Sequence, residues 1–256
     1  MLETLPTELT LILGVAGYGT AVGALLPRSV YRFAVGREQP RPTRCPSGHP
    51  LPGSPGGWLG PARCASCRSE AGTDAAFGPR AGRTALTSAL VCTALAAAVG
   101  ARPELAVWLL IAPFALLLAA VDIRVRRLPD ALTLPLAAAT AALLGVASIF
   151  PGTDGSWVRA LLGGVALAGS YFVLFLLHPR GFGFGDVKLA LTAGVALGWY
   201  GWQAVFAGAF LGFLLHAAWG VTLILAGRAG RKTALPFGPF MVFGALLVVM
   251  PAASGI

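Results

Sequence analysis

LLLAAVDIRVRRLPDALTLP, residues 116–135, runs apolar to Asp122, places Arg124, Arg126 and Arg127 in the next five positions, breaks at Pro129-Asp130 and turns apolar again. Clustered arginines and a proline between two apolar runs mark one spanning helix leaving a membrane on its cytoplasmic side and the next one entering. The rest of the chain agrees. Of 256 residues, 56% are hydrophobic and only 11% charged, and the mean hydropathy is +0.76. Soluble domains carry about 25% charged residues, so a soluble domain is excluded. Most of the 34 glycines and 19 prolines lie within or beside the apolar runs, and they show no triplet period, which excludes collagen and a disordered chain.

A spanning helix takes about 20 apolar residues. Eight stretches qualify, near 9–26, 85–101, 105–122, 132–150, 158–177, 187–200, 202–226 and 236–252, the sixth being short. The expected fold is an all-α polytopic membrane protein of about eight transmembrane helices. Its parts are a first transmembrane helix (1–27), a small cytoplasmic basic loop domain with cysteines (28–84) and a seven-helix membrane core (85–256). Glu3 and Glu8 precede the first apolar stretch and Arg28 and Arg32 follow it, the reverse of a cleavable signal, so this segment is expected to stay attached with its amino end outside. On that topology 17 of the 19 Lys and Arg fall in or beside cytoplasmic segments, and only Arg102 and Arg159 lie outside. The net charge of +9 thus records topology, and no nucleic-acid partner is expected. No internal repeat supports a repeat-built transporter.

Ten acidic residues exist, and Glu3, Glu8, Glu38, Glu70, Asp74, Glu104 and Asp154 are expected in loops or termini. That leaves Asp122, Asp130 and Asp186. Asp122 closes the third span, and Asp186 opens the sixth in GFGFGDVKLALTAG, residues 181–194. Ionisable groups at a membrane edge are expensive and are functional candidates by default. If the two helices pack side by side, the carboxylates meet. Two carboxylates a few Å apart hold one proton between them. One then draws a proton from water while the other polarises a peptide carbonyl, which gives hydrolysis without a metal or a covalent intermediate. The plainer readings are an Asp122 paired with Arg124 or Arg126, and an Asp186 that caps its helix.

Gly183 and Gly185 permit non-helical backbone and close approach of another chain. Lys188 reads as a cation reaching for the cytoplasmic surface rather than a direct partner of Asp186. Asp130 reads first as the N-cap of the fourth span and second as a support at the site mouth. Pro236 and Gly238 in LPFGPF, residues 235–240, make a broken, aromatic helix start that either lines a groove or is an ordinary helix entry. Cys64 and Cys67 form a CxxC pair, and Cys45 and His49 stand upstream in CPSGH. The alternatives for these four are a tetrahedral zinc site and reduced, unliganded side chains. Cys92 lies within an apolar helix and is expected to pack.

Together, Asp122 with its five following residues, LPDALTLP, GFGFGDVKL and LPFGPF resemble the type IV prepilin peptidase family, membrane aspartyl proteases of the GxGD type. VGALLPRSVYRFAVG, residues 22–36, is similar to the family's first helix and its exit into a cysteine-bearing loop. The resemblance implies Asp122 and Asp186 as the catalytic pair; Gly183, Gly185, Lys188, Asp130, Pro236 and Gly238 are expected to support them on the residue readings above. It implies a prokaryotic cytoplasmic (inner) membrane with the site on the cytoplasmic face. The implied partners are the lipid bilayer and a type IV prepilin or pilin-like secretion protein, whose short basic leader is removed. The peptidase needs no cofactor. Many members also methylate the new amino terminus with S-adenosylmethionine and carry two CxxC pairs; here Ser47 and Gly48 stand where a second cysteine of the first pair is expected. S-adenosylmethionine is therefore implied only if methylation is retained. Two other classes use the same features. A proton-coupled transporter needs carboxylates near the midplane, whereas both lie at one edge here. A non-enzymatic assembly protein would not depend on them at all.

Overall fold

The computed structural model describes residues 4–36, 38–53, 56–71, 76–179, 181–230 and 233–254. Glu3, Arg37, Asp74, Arg180, Arg231 and Lys232, which entered the charge reading, lie outside them. The described residues form nine helices: α1 (Thr4–Phe33), α2 (Ala65–Ala71), α3 (Ala81–Val99), α4 (Pro103–Val125), α5 (Asp130–Ala147), α6 (Trp157–Leu177), α7 (Phe184–Tyr200), α8 (Trp202–Leu225) and α9 (Gly238–Ala253). They form no strand, only isolated bridges between Arg44 and Pro50 and between Arg63 and Ala76. The fold is that of an all-helical, multi-pass membrane protein. A helix occupies each of the eight expected positions, but six, α1, α3, α4, α5, α6 and α8, are long and apolar enough to cross a bilayer. With 17 and 16 residues, α7 and α9 are shorter; at about 1.5 Å per residue neither reaches the roughly 30 Å of a hydrocarbon core.

The chain divides into two compact units, Met1–Ala97 and Ala98–Ile256. In the first, α1 continues through Pro27 to Phe33. Arg28 and Arg32 therefore sit on the helix rather than in the loop expected from residue 28. They are 9% and 5% exposed. Arg28 donates from Nε to the Pro61 carbonyl at 3.0 Å and from Nη1 to Pro52. Arg32 donates from Nη1 to the Gly56 carbonyl at 2.7 Å and stacks 3.8 Å over the Trp58 ring. Buried guanidinium groups need such acceptors, so these two side chains clamp the loop to the helix. α1 and α3 approach closely at Gly23, where a Cβ would stand 2.5 Å from the Thr84 carbonyl.

In the second unit, α6 and α7 pair along a glycine seam. A Cβ at Gly163 would lie 2.7 Å from the Gly194 carbonyl, and one at Gly194 would lie 2.5 Å from that of Gly163. Lipid gives no hydrophobic drive to bring helices together, so small residues that let backbones touch supply the packing. α8 and α9 use the same device at Gly244, whose Cβ would meet the Gly212 nitrogen at 2.7 Å. Arg102 joins one end of this unit, with its Nη1 2.5 Å from Asp154 and donating to the Ala253 carbonyl at 2.9 Å. At that end Glu104, expected in a loop, is fully buried in the first turn of α4. Gly155 faces the fully buried Trp199, and a Cβ there would fall inside the indole. Gly155→Ala is expected to lower stability by about 1–3 kcal/mol through overpacking, read as a lower melting temperature in detergent.

Candidate active site

Asp122 and Asp186 stand at the end of the second unit away from the Arg102–Asp154 pair, Asp122 in the last turn of α4 and Asp186 in the first turn of α7. Asp122 is 4% exposed. Among the described residues it pairs with neither Arg124 nor Arg126; its Oδ2 accepts the Gly238 N–H at 2.9 Å. That N–H is one of the free donors at the start of α9, so the broken LPFGPF entry turns a helix amino end onto the carboxylate. A Cβ at Gly238 would stand 2.9 Å from Asp122 Oδ2, so glycine is what lets the backbone come this near. Asp186 is the third residue of α7, and its Oδ2 accepts the Gly183 N–H at 3.1 Å. Gly183 is the N-cap, and Gly185, expected in irregular backbone, lies within the helical first turn.

Among the described residues α4 and α7 make no direct backbone approach, and each packs against α5 and α9. The space between holds the α9 entry and the α4–α5 connection. That connection is shaped by Arg126, the non-glycine with positive φ among the described residues (φ 51°, ψ 47°), whose N–H donates to the Asp122 carbonyl at 2.7 Å. The left-handed residue stops α4 four positions after Asp122. It brings Leu128, 4% exposed, against α7, where a Cβ at Gly185 would meet the Leu128 Cβ at 3.0 Å. The ends of α4 and α7 that carry the carboxylates are thus joined through Leu128 and through α9.

Asp130 does not cap α5. Pro129 is the N-cap, and Asp130, the first helical residue, points across to Lys188, with 2.6 Å between Oδ1 and Nζ. Lys188 also lies 4.8 Å from the Phe184 ring centroid. It is a direct partner of another carboxylate rather than a free surface cation. The ion pair ties the start of α5 to the turn of α7 that carries Asp186. Its charges are mismatched in exposure, 15% for the Lys188 side chain and 67% for that of Asp130, so its energetic worth is small.

Sequence reasoning missed a ring cluster beside the carboxylates. Tyr171 of α6 stacks on Phe213 of α8, with ring centroids 5.4 Å apart, and meets Phe237 at 5.8 Å and Phe182 at 6.4 Å. Phe182 and Phe237 each precede the glycine whose N–H holds one carboxylate. The repeated Phe-Gly pair in the two motifs was the available signal; nothing in the apolar run of α6 marked Tyr171.

In the first unit, Cys45, His49, Cys64 and Cys67 converge, with their ligand atoms all within 4.8 Å of one another. Cys45 Sγ lies 3.7 Å from both His49 Nδ1 and Cys67 Sγ; His49 Nδ1 lies 3.2 Å from Cys67 Sγ and 3.7 Å from Cys64 Sγ. A tetrahedral centre with metal–sulfur bonds of about 2.3 Å and metal–nitrogen bonds of about 2.0–2.1 Å has edges of about 3.5–3.8 Å. The four residues fit a metal ion. The Cys67 backbone N–H beside the Cys64 sulfur holds that thiol below its ordinary value, toward the thiolate a metal needs. The sulfurs also fill the small core of the loop with Leu51, against which Tyr31 and Phe77 pack.

Residues 109–226 match the type IV leader peptidase family. A prepilin leader peptidase/N-methyltransferase of Aeromonas hydrophila is 31% identical over 169 residues, covering 65% of this chain and 55% of that protein. One of Burkholderia pseudomallei (strain K96243) is 34% identical over 136 residues, or 50% and 41% of the two chains. One of Pseudomonas aeruginosa is 28% identical over 193 residues, or 73% and 62%. The chain spans about half the length of the first two of these relatives. No solved structure matches it.

Proposed function

We propose, from the premise that residues 109–226 belong to the type IV leader peptidase family, that this chain is a membrane aspartyl endopeptidase that removes the basic leader of a type IV prepilin or pilin-like protein. The observation that carries the reading is the pair Asp122 and Asp186, each holding a glycine N–H on one oxygen, with Leu128, six positions after Asp122, packed on the turn of α7 that carries Asp186. The ionised carboxylate takes a proton from water as the water oxygen bonds to the scissile carbonyl carbon, and the other carboxyl delivers its proton to the carbonyl oxygen. The neutral gem-diol then breaks its C–N bond. The carboxyl that gained the water proton gives it to the leaving nitrogen, and the other recovers a proton from the diol. Gly238 and Gly183 each occupy one carboxylate oxygen and leave the second free for this traffic. Asp130 and Lys188 hold the first turn of α7 in register. The test is leader removal from a purified prepilin by wild type against each single Asn variant at 122 and 186; full cleavage by either variant rejects the pair.

In this reading the site faces the cytoplasm of a prokaryotic inner membrane and the amino terminus lies outside, in line with Arg124, Arg126 and Arg127 at the end that holds Asp122. The ion at Cys45, His49, Cys64 and Cys67 is a structural zinc that holds the loop and takes no part in hydrolysis. Gly238→Ala is expected to push Asp122 off its position and lower kcat by about 10- to 10²-fold, since misplacement near 1 Å costs that much. A cleavage time course at saturating prepilin checks it, and wild-type kcat rejects the role given to the Gly238 contact.

A further inference from the structure

Tyr171 is 2% exposed, and its hydroxyl has no hydrogen-bond partner among the described residues. Buried hydroxyls are almost always paired, and one left alone calls for an explanation. Its surroundings are rings: Phe213 stacked at 25°, Phe237 tilted at 48° and Phe182 edge-on at 85°. None of these supplies a carboxylate, carbonyl or amide. The ring is fixed on three sides and the hydroxyl cannot swing away to water. Two of the three rings belong to Phe-Gly pairs whose glycines bind Asp122 and Asp186, so the cluster anchors Tyr171 to the two segments whose N–H groups hold the carboxylates.

We propose that Tyr171 is a catalytic residue whose hydroxyl donates a hydrogen bond to the carbonyl oxygen of the scissile peptide. The inference rests on the Asp122–Asp186 reading. As water bonds to the carbonyl carbon, the π pair moves onto the carbonyl oxygen, and the phenol hydrogen bond stabilises the charge that gathers there. Tyr171 keeps its proton throughout; the proton transfers remain with the two carboxyls, and no further reactant enters. The resting hydroxyl lacks an acceptor because its acceptor is the substrate. A preorganised donor of this kind strengthens as charge develops and is worth more in the transition state than in the ground state.

Tyr171→Phe removes the oxygen and keeps every ring contact. With a synthetic prepilin peptide spanning the leader and the first residues after it, the variant is expected to lose about 10²- to 10³-fold in kcat with little change in KM. Its melting temperature in detergent is expected to be equal or higher, because an unpaired buried hydroxyl has been removed. Wild-type kcat, a change confined to KM, or a loss of activity accompanied by a lower melting temperature each overturns the proposal. Asp186→Asn is run alongside. A fully active Tyr171→Phe beside an inactive Asp186→Asn rejects the tyrosine role alone, whereas full activity in both rejects the carboxylate pair itself.

Discussion

Asp122→Asn and Asp186→Asn are each expected to lower prepilin cleavage by about 10²- to 10⁴-fold, the contribution of a positioned acid or base. The substitution is nearly isosteric. Asn at 122 still offers a carbonyl oxygen to the Gly238 N–H, and Asn at 186 still accepts from Gly183, so both contacts survive. What is lost is the ability to take a proton from water or deliver one. The melting temperature in detergent should therefore stay within a few degrees of wild type while cleavage collapses. Because the two carboxyls act as one unit, the double Asn variant should be little worse than either single one. Cleavage by either variant within about tenfold of wild type would remove the acid–base role from that residue.

The second large effect concerns the first unit. Purified wild-type protein is expected to hold about one zinc ion per chain by elemental analysis, and Cys64→Ser less than about a tenth of that, because a tetrahedral site that loses one thiolate keeps only three ligands. Cys92→Ser is the matched control: Cys92 is fully buried in α3 and away from the cluster, so it should leave the metal content unchanged. Removal of the ion should also loosen the loop, because the sulfurs are most of its buried core and a loop of this size has little else to hold its shape. Limited proteolysis between residues 38 and 64 reads that loosening. A wild-type preparation without metal would leave the cluster as four reduced side chains and reject the zinc reading.

The motifs around Asp122 and Asp186 were legible in sequence because acidic residues are scarce in the apolar chain. Any that stands at the edge of an apolar run is conspicuous. The metal cluster was legible for a similar reason: CxxC and Cys-x3-His are local patterns, and a single ion geometry fits both. The partners of these residues were not legible. Asp130 reads as a cap from its place after Pro129, yet it reaches a lysine 58 positions later in the chain, because α5 happens to pack on α7. Arg28 and Arg32 read as topology signals, and the structure makes them buried clamps. Charge counts see the sign of a side chain but not which carbonyl it meets.

From the order of residues alone come the helical class, the places of the helices and the two carboxylates, since each depends on local composition or on spacing along one helix. Tertiary structure decided how those carboxylates are held. Among the described residues the backbones of α4 and α7 make no close approach; the Gly238 and Gly183 N–H groups, Leu128 and the rings around Tyr171 set their relation instead. The contact between Asp122 and Gly238 joins residues 116 positions apart. They follow from which glycine seams let helices approach, a property of paired surfaces that no single stretch of chain contains.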